Sequence, residues 1–162
     1  DYRNHAEKRG RNAERITIMN AAEMWERFCE KSGIKADYDD WAFGGAPDAL
    51  AELVLNGIKT ATASAYPLYE QEQEPLPEVG EYNIILDGKD EAVCIIRTTK
   101  VYAVPFREVS ADHAFREGED DRSLESWREV HRDFFTREMN AGGLTFDEDM
   151  PVVCEEFMRV YP

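Results

Sequence analysis

Apolar residues recur at helical spacing in three segments, and each segment has residues that suit helix ends. The first helix is predicted to begin after Asn20, whose side chain can cap free amides, and to end at Gly33. The second is predicted to begin at Pro47, since proline suits a first helical turn, and to end at Gly57. The third is predicted over 123–139, before two glycines. The predicted inward faces comprise Met24, Trp25, Phe28 and Cys29; Ala49, Leu50, Leu53 and Val54; and Trp127, Val130, Phe134 and Phe135.

Other segments have the alternation or the short apolar runs that are typical of strands. Residues 59–65 alternate between polar and methyl side chains, and this period of two predicts a strand. Two apolar runs, 82–86 and 92–96, flank an Asp-Gly turn and predict a hairpin. Further strands are predicted over 101–104 and 151–161.

Two stretches are predicted as loops. Residues 41–45 combine large aromatic side chains with two glycines, and residues 70–80 are polar with two prolines. Short strands around several helices indicate the α+β class, as a small β-barrel with helices packed on it. The sequence has neither an internal repeat nor a linker between two bodies, so we expect a single domain over 19–162.

The net charge restricts the classes of partner. The 162 residues include 34 Asp plus Glu and 19 Lys plus Arg, which gives a net charge of −15. Non-specific binding to long tracts of nucleic acid is not expected, because proteins that coat phosphates are basic. Binding to anionic lipid is disfavoured for the same reason. No apolar stretch approaches the roughly 18 residues of a membrane span, so no membrane association is predicted.

Residues 1–18 differ from the remainder of the chain. They carry five basic and three acidic residues, a net charge of +2, which leaves −17 for residues 19–162. They have almost no apolar content before Ile16. We predict that they form a disordered arm, a leader or a remnant from cloning.

The spacing of the cysteines and the absence of known cofactor motifs favour a protein without prosthetic groups. Cys29, Cys94 and Cys154 are far apart and odd in number, unlike a disulfide framework or a zinc site. Neither a nucleotide-binding glycine loop nor a serine nucleophile elbow is present. We therefore predict no cofactor and no metal, and a reducing, cytoplasmic location.

The junction between the second helix and the first strand is the main candidate for chemistry. A partly buried Lys59 would lose hydration, which favours the neutral amine and allows it to act as a base. Thr62 could then serve as an activated nucleophile. Strict alternation places the two on opposite faces, so cooperation requires the strand to begin after Lys59 or to contain a bulge. The alternative is structural, since lysine suits a helix C-terminus and threonine suits strands.

Other polar residues are predicted to have structural positions. His113 and His131 have no metal-like spacing and are predicted at the surface or the edge of a helix. The acidic stretch 116–122 is predicted as a solvated loop before a helix, with Asp121 or Ser123 as the cap. It lacks the alternating oxygen ligands of a calcium loop.

Several short blocks, in their order and spacing, resemble the ASCH domain family of the PUA-like superfamily. The resemblance covers roughly residues 38–161. The closing block, 150–155, is similar to that of the longer bacterial members. Its carriers are the blocks 41–44, 56–64, 77–82, 117–127 and 150–155. The resemblance implies a small PUA-like β-barrel with flanking helices, beside a cleft that meets RNA or its building blocks.

The resemblance also implies an active site. The family includes an acetylcytidine amidohydrolase, whose catalytic Lys-x-x-Thr follows a glycine and matches Lys59 and Thr62. Its glutamate lies in a His-Ala-x-x-Glu stretch, which matches Glu117. Many members carry arginine where this chain has Ser64, so the anchor for a substrate phosphate or carbonyl is expected either to be missing or to be supplied by Arg97 or Arg122. The predicted substrate-binding residues are Trp41, Phe43, Gly44, Thr60, Ser64, Tyr69, Arg97, Arg122 and Ser123.

The implied reaction is hydrolysis of a nucleoside amide. Neutral Lys59 takes the proton from Thr62, whose oxygen attacks the acetyl carbon. Glu117 assists proton transfer to the leaving amine or activates water. Aromatic faces such as that of Tyr69 can stack on a base. The alternatives are an RNA-binding module without chemistry and a metal-assisted ribonuclease, and the expected partner is a nucleoside or a short RNA.

Overall fold

The computed structural model of the protein describes residues 18–162. The predicted arm over 1–18 therefore lies outside the described residues, apart from Ile18. The described part forms five α-helices, one 3-10 helix and five strands. In chain order these are α1 (Ala21–Ser32), β1 (Tyr38–Ala42), α2 (Pro47–Leu55), β2 (Ala61–Ala65), α3 (Tyr66–Glu72), β3 (Tyr82–Leu86), β4 (Ala92–Pro105), the 3-10 helix (Phe106–Glu108), α4 (Ala111–Glu117), α5 (Leu124–Ala141) and β5 (Pro151–Tyr161).

The strands form a mixed sheet, and the predicted α+β class is confirmed. The strand order is β1-β3-β4-β5-β2, in which β1 is parallel to β3 and β2 is antiparallel to β5. The contacts of the described residues define two compact units. The first comprises 18–55, 82–96 and 159–162, and the second comprises 56–81 and 97–158. The single domain predicted over 19–162 stays a prediction.

In the first unit, α1 packs on the strands through the residues that the sequence indicated. Asn20 caps the helix by accepting a hydrogen bond from the Glu23 amide at 2.9 Å, and Gly33 ends it with a left-handed φ of 75°. Met24 and Phe28 are buried against β3 and β4 residues. The cluster contains Met19, Ala21, Met24, Phe28, Ile84, Leu86, Ala92 and Ile95.

The predicted loop over 41–45 is wrong at its first two residues. Trp41 and Ala42 belong to β1, which pairs in register with β3 so that Trp41 lies opposite Ile85. The Trp41 indole donates a hydrogen bond to Asn83 Oδ1 at 2.9 Å. β1 forms because it pairs with β3, which is distant in the chain. Its own sequence does not indicate a strand, because it contains two aspartates, which are rare in strands.

In the second unit, a second apolar cluster lies between the β2–β5 pair and helices α4 and α5. Alternate residues of β2 and β5, such as Ala65 and Cys154, pack on Trp127 and Phe135 of α5. Its buried members are Ala65, Phe106, Val109, Ala114, Trp127, Phe135, Met139, Met150, Val152 and Cys154. We call this set the helix-side cluster.

Several predicted boundaries and faces are corrected. The strand predicted over 59–65 begins only at Ala61, and the one predicted over 101–104 is the end of the 14-residue β4. The loop predicted over 70–80 begins within α3, which extends to Glu72.

Two residues that were predicted to face inward are exposed. On α5, Val130 is 42% exposed, because the stripe that packs inward is Trp127, His131, Phe135 and Met139. On α2, Ala49 is exposed and Ala51 is buried instead. Alanine is a weak indicator of burial because its side chain is small.

No helix among residues 18–162 combines the length and the apolar content that crossing a bilayer requires.

The end of α4 lies very close to the segment before β2. Gly118 ends this helix with a φ of 73°, and a Cβ built there would lie 2.6 Å from the carbonyl oxygen of Ile58. A side chain at this position would therefore combine backbone strain with a backbone clash.

We expect Gly118→Ala to lower the free energy of unfolding by about 2–4 kcal/mol, because strain and overpacking add. The matched control is Gly143→Ala, since Gly143 has a φ of 74° but open space around its Cβ position. That variant should lose only the strain, about 1–2 kcal/mol. Urea denaturation followed by circular dichroism measures both. Equal losses for the two variants would contradict the close approach.

Candidate functional site

Lys59 is buried between two carboxylates. It follows α2 and precedes β2, and only 2% of the residue is exposed. Its Nζ lies 3.2 Å from Glu117 Oε1 and 3.1 Å from Glu119 Oε2. A buried ammonium needs such partners, because desolvation of an unpaired charge is very unfavourable. Cooperation with Thr62 required the strand to begin after Lys59 or to contain a bulge, and β2 does begin after Lys59.

Glu117, the last residue of α4, is the centre of this cluster. Its Oε2 accepts hydrogen bonds from His113 Nε2, at 2.8 Å, and from the Trp127 indole. Its Oε1 faces Lys59 and lies 3.6 Å from His131 Nε2. His113 Nδ1 has no hydrogen-bond partner among residues 18–162, so a tautomer protonated on Nε2 fits its role as donor.

These contacts determine the charge of the cluster. Burial raises the pKa of Glu117, but the Lys59 charge and the bonds from His113 and His131 outweigh it and hold the pKa well below 4.5. Burial lowers the pKa of His131, but its interactions with Glu117 and then with Glu119 outweigh burial and raise it. Glu117 is therefore an anion that binds several donors.

Hydrogen bonds to backbone carbonyls hold the segment before β2 against the end of α4. The Thr60 amide donates to the Arg116 carbonyl at 2.7 Å. Arg122 donates from Nε to the Phe115 carbonyl at 3.0 Å and from Nη2 to the Ile58 carbonyl at 3.3 Å. These bonds fasten the segment before β2 to the end of α4.

Thr62 lies on a different face of β2 from the alanines. Ala61, Ala63 and Ala65 alternate with Thr62 and Ser64, and Ala63 and Ala65 pack on the helix-side cluster. Thr62 is directly opposite Glu155 of β5, and directly opposed residues share a face.

The remaining polar residues of this face are linked to one another. The Ser64 and Tyr69 hydroxyls are 2.8 Å apart, and burial raises the pKa of Tyr69. Glu155 accepts a hydrogen bond from Thr98 Oγ1 at 2.7 Å. Burial raises the pKa of Glu155, the Thr98 hydroxyl lowers it, and the charge of Glu81 raises it further. The net effect is a raised pKa, opposite to that of Glu117.

The other predicted site residues have varied positions. Trp41, Phe43 and Gly44 belong to the first unit, where the Trp41 and Phe43 rings meet edge to face at 4.8 Å. Arg97 is exposed on β4. The Ser123 hydroxyl accepts a hydrogen bond from the Ser126 amide and caps α5, as predicted.

The prediction that His113 and His131 lie at the surface or an edge is wrong. Both are buried, because α4 and α5 turn them toward Glu117. The sequence reasoning also missed Glu119, Trp127 and the second carboxyl, Glu155. The spacing of four residues between His113 and Glu117, and between Trp127 and His131, was an available signal, since such pairs share a helix face.

Glu117, Glu119 and His131 could in principle hold a metal ion. Their ligand atoms lie within 4.8 Å of one another. The Lys59 ammonium, however, already contacts both carboxylates at 3.1–3.2 Å. A cation at this position would compete with Lys59, so the donor set fits the lysine better than a metal.

Comparison with known proteins places the fold clearly. The sequence model for the ASCH domain matches residues 39–161. A high-resolution crystal structure of an ASCH domain from Lactobacillus crispatus JV V101 is 33% identical, with a TM-score of 0.82, and the match covers 90% of this chain and 98% of that one. A protein from Enterococcus faecalis V583 is 37% identical, with a TM-score of 0.79 and 88% coverage of both chains.

A third solved structure, of a hypothetical protein, is similar in fold alone. It is 16% identical with a TM-score of 0.53, and the match covers 76% of this chain and all of that one. No curated protein sequence matches the chain significantly.

We expect acid to remove the contribution of Glu117 to stability. The lowered pKa means that this contribution is present above the ordinary value of 4.5 and is lost as the pH falls through the folded-state pKa. Glu117→Gln should therefore lose about 3–5 kcal/mol at pH 7, where Lys59 becomes under-compensated, and lose less near pH 3. Urea denaturation across this pH range is the measurement.

The exposed carboxyl Glu129 on α5 supplies the control. Glu129→Gln should change stability by less than about 0.5 kcal/mol. A pH-independent loss in Glu117→Gln would show that the lowered pKa does not stabilise the fold.

Proposed function

The chain belongs to the ASCH domain family, and on that premise we propose that it hydrolyses a modified nucleoside at an acetylcytidine-type amide. The observation that carries the proposal is the buried Lys59, held by Glu117 and Glu119 next to the strand that bears Thr62. A purely structural lysine at a helix end would extend into solvent. Burial of its charge, with two carboxylates and two histidines nearby, is typical of a catalytic position.

Glu119 connects the cluster with solvent. Its side chain is 24% exposed, whereas those of Lys59 and Glu117 are almost fully buried. Transfer of one proton from Nζ to Oε2 of Glu119, across 3.1 Å, would leave a neutral amine. The neutral amine is the form that can accept the Thr62 proton.

The reaction then begins with covalent catalysis. Thr62 Oγ1 attacks the acetyl carbon and its proton passes to Nζ of Lys59. Glu117 remains an anion and holds Lys59 in position, because both of its oxygens already accept hydrogen bonds. Ser64 lies on the Thr62 strand and Tyr69 in the helix directly after it, with their hydroxyls 2.8 Å apart. This proximity to Thr62 in the chain supports a role for both in contacting the base.

The acidic character of the chain supports a small neutral substrate. Residues 19–162 carry a net charge of −17, which repels the phosphates of an RNA strand but not a nucleoside. Of the two possible arginine anchors, Arg122 already binds the Phe115 and Ile58 carbonyls. A substrate without phosphate needs no such anchor.

A metal-assisted ribonuclease is the second candidate, because Glu117, Glu119 and His131 form a potential ligand set. Competition with the Lys59 ammonium makes it the less favoured reading. A chelator separates the two, since it should abolish ribonuclease activity and leave amide hydrolysis unchanged. An RNA-binding module without chemistry would instead show affinity that falls steeply with salt.

We expect the wild-type protein to release acetate from N4-acetylcytidine. Thr62→Ala should lower kcat by on the order of 10³-fold or more, because the nucleophile is lost. Thr62→Ser should keep a measurable part of the activity. Acetate release, followed with a coupled enzyme, is the measurement.

Thr99→Ala is the matched control, since Thr99 is an exposed threonine of β4. It should be as active as the wild type. Thermal melting checks that each variant is folded. Full activity in a folded Thr62→Ala protein would overturn the proposed mechanism.

A further inference from the structure

Thr62 and Glu155 form a directly opposed pair in the antiparallel β2–β5 ladder. Side chains of such a pair share a face, with Cβ atoms about 4.5–5.5 Å apart. Ala63 and Ala65 on the other face of β2 pack on the helix-side cluster. Glu155 is therefore the carboxyl that the sheet register places beside the hydroxyl of Thr62.

The chemistry at Thr62 needs a proton donor that Glu117 cannot supply. A cytosine amine leaves a tetrahedral intermediate readily only when its nitrogen is protonated. Glu117 is ionised, and its oxygens are engaged by Lys59, His113 and the Trp127 indole.

Glu155 has the opposite environment. It is 8% exposed, and its Oε1 accepts a hydrogen bond from the Thr98 hydroxyl. The titratable groups that face it are Tyr69, from α3, and Glu81, from the segment before β3. The charge of Glu81 disfavours a negative charge on Glu155, and Tyr69, whose pKa is raised, brings no positive charge to it. A carboxyl in such surroundings keeps its proton to higher pH.

We propose that Glu155 is a catalytic residue, the general acid that protonates the leaving amine beside Thr62. This inference rests on the proposed function and adds a further residue to it. Two carboxyls with opposed environments then have different tasks, since ionised Glu117 holds Lys59 and protonated Glu155 donates.

The two half-reactions conserve every proton. Thr62 Oγ1 bonds to the acetyl carbon as its proton passes to neutral Lys59. The C–N bond then breaks, and the amine nitrogen takes the proton of Glu155. In the second half, water attacks the acetyl-threonine ester and gives a proton to the Glu155 carboxylate. Thr62 Oγ1 leaves with the proton from Lys59, which releases acetic acid and restores all three groups.

The test uses the full chain and two probes that differ in their leaving group. Glu155→Gln keeps an oxygen that can accept the Thr98 bond, so we expect it to fold. Its kcat for N4-acetylcytidine should fall by about 10²–10⁴-fold, the usual contribution of a general acid. With 4-nitrophenyl acetate the initial burst of nitrophenolate, which reports the acylation of Thr62, should change by under about 3-fold, because nitrophenolate leaves without a proton. Steady-state turnover of this ester should fall, because water attack on the acetyl-threonine ester uses the Glu155 carboxylate.

A second variant tests the role of the proton rather than that of the side chain. Thr98→Val removes the hydrogen bond that lowers the pKa of Glu155. The alkaline limb of the kcat profile for N4-acetylcytidine should therefore move to higher pH, and a merely structural Glu155 would not move it. Glu156→Gln, which points to the other face and pairs with Arg116 and Lys100, should behave as the wild type.

The outcomes are distinct. Loss of amide hydrolysis in Glu155→Gln with an unchanged nitrophenolate burst, together with the shifted limb in Thr98→Val, supports the inference. Wild-type activity that requires Thr62 but is unchanged in Glu155→Gln overturns it and leaves the proposed function intact. Equal losses in the amide rate and in the nitrophenolate burst of folded Glu155→Gln also overturn it. A wild-type protein that releases no acetate from N4-acetylcytidine removes the proposed function, whatever it does with 4-nitrophenyl acetate, and the inference falls with it.

Discussion

The ammonium of Lys59 lies in a position from which water is excluded, and the surrounding structure is arranged to compensate its charge. Glu117 and Glu119 contact it at 3.2 and 3.1 Å. Two carboxylates in one place are stable only with further donors, which His113 and Trp127 supply. The same requirement explains why α4 must end against the segment before β2, and why a glycine stands at the point of closest approach, beside Ile58.

The second unit thus contains two buried carboxyls whose surroundings act in opposite directions. Glu117 is surrounded by cationic and N–H donor groups, whereas Glu155 has a single hydroxyl donor and negatively charged or ionisable neighbours. A site that breaks an amide needs both a stable anion and a retained proton, and no pair of solvent-exposed glutamates would differ in this way. The acidic body of the protein is consistent with such chemistry on an uncharged nucleoside.

Local signals account for much of the fold. The Asn20 cap, the Gly33 terminus and the apolar stripe predicted α1 correctly, and the Asp-Gly turn predicted β3 and the start of β4. The resemblance to the ASCH family placed Lys59 and Glu117 in one site, and the structure brings them into contact. Errors arose where distant pairing decides, as for Trp41 in β1, or where a helix face depends on its neighbours, as for Val130.

The sequence by itself determined three of the five α-helices, the hairpin of β3 and β4 and the lysine–threonine motif, because each depends on residues close together in the chain. Only the tertiary structure decided that His113 and His131 are buried and that Thr62 faces Glu155. The register of β2 with β5 joins residues about ninety positions apart, and a shift of one residue would turn Glu155 to the opposite face. Such a register is determined by packing on both faces of the sheet, which no local pattern in either strand records.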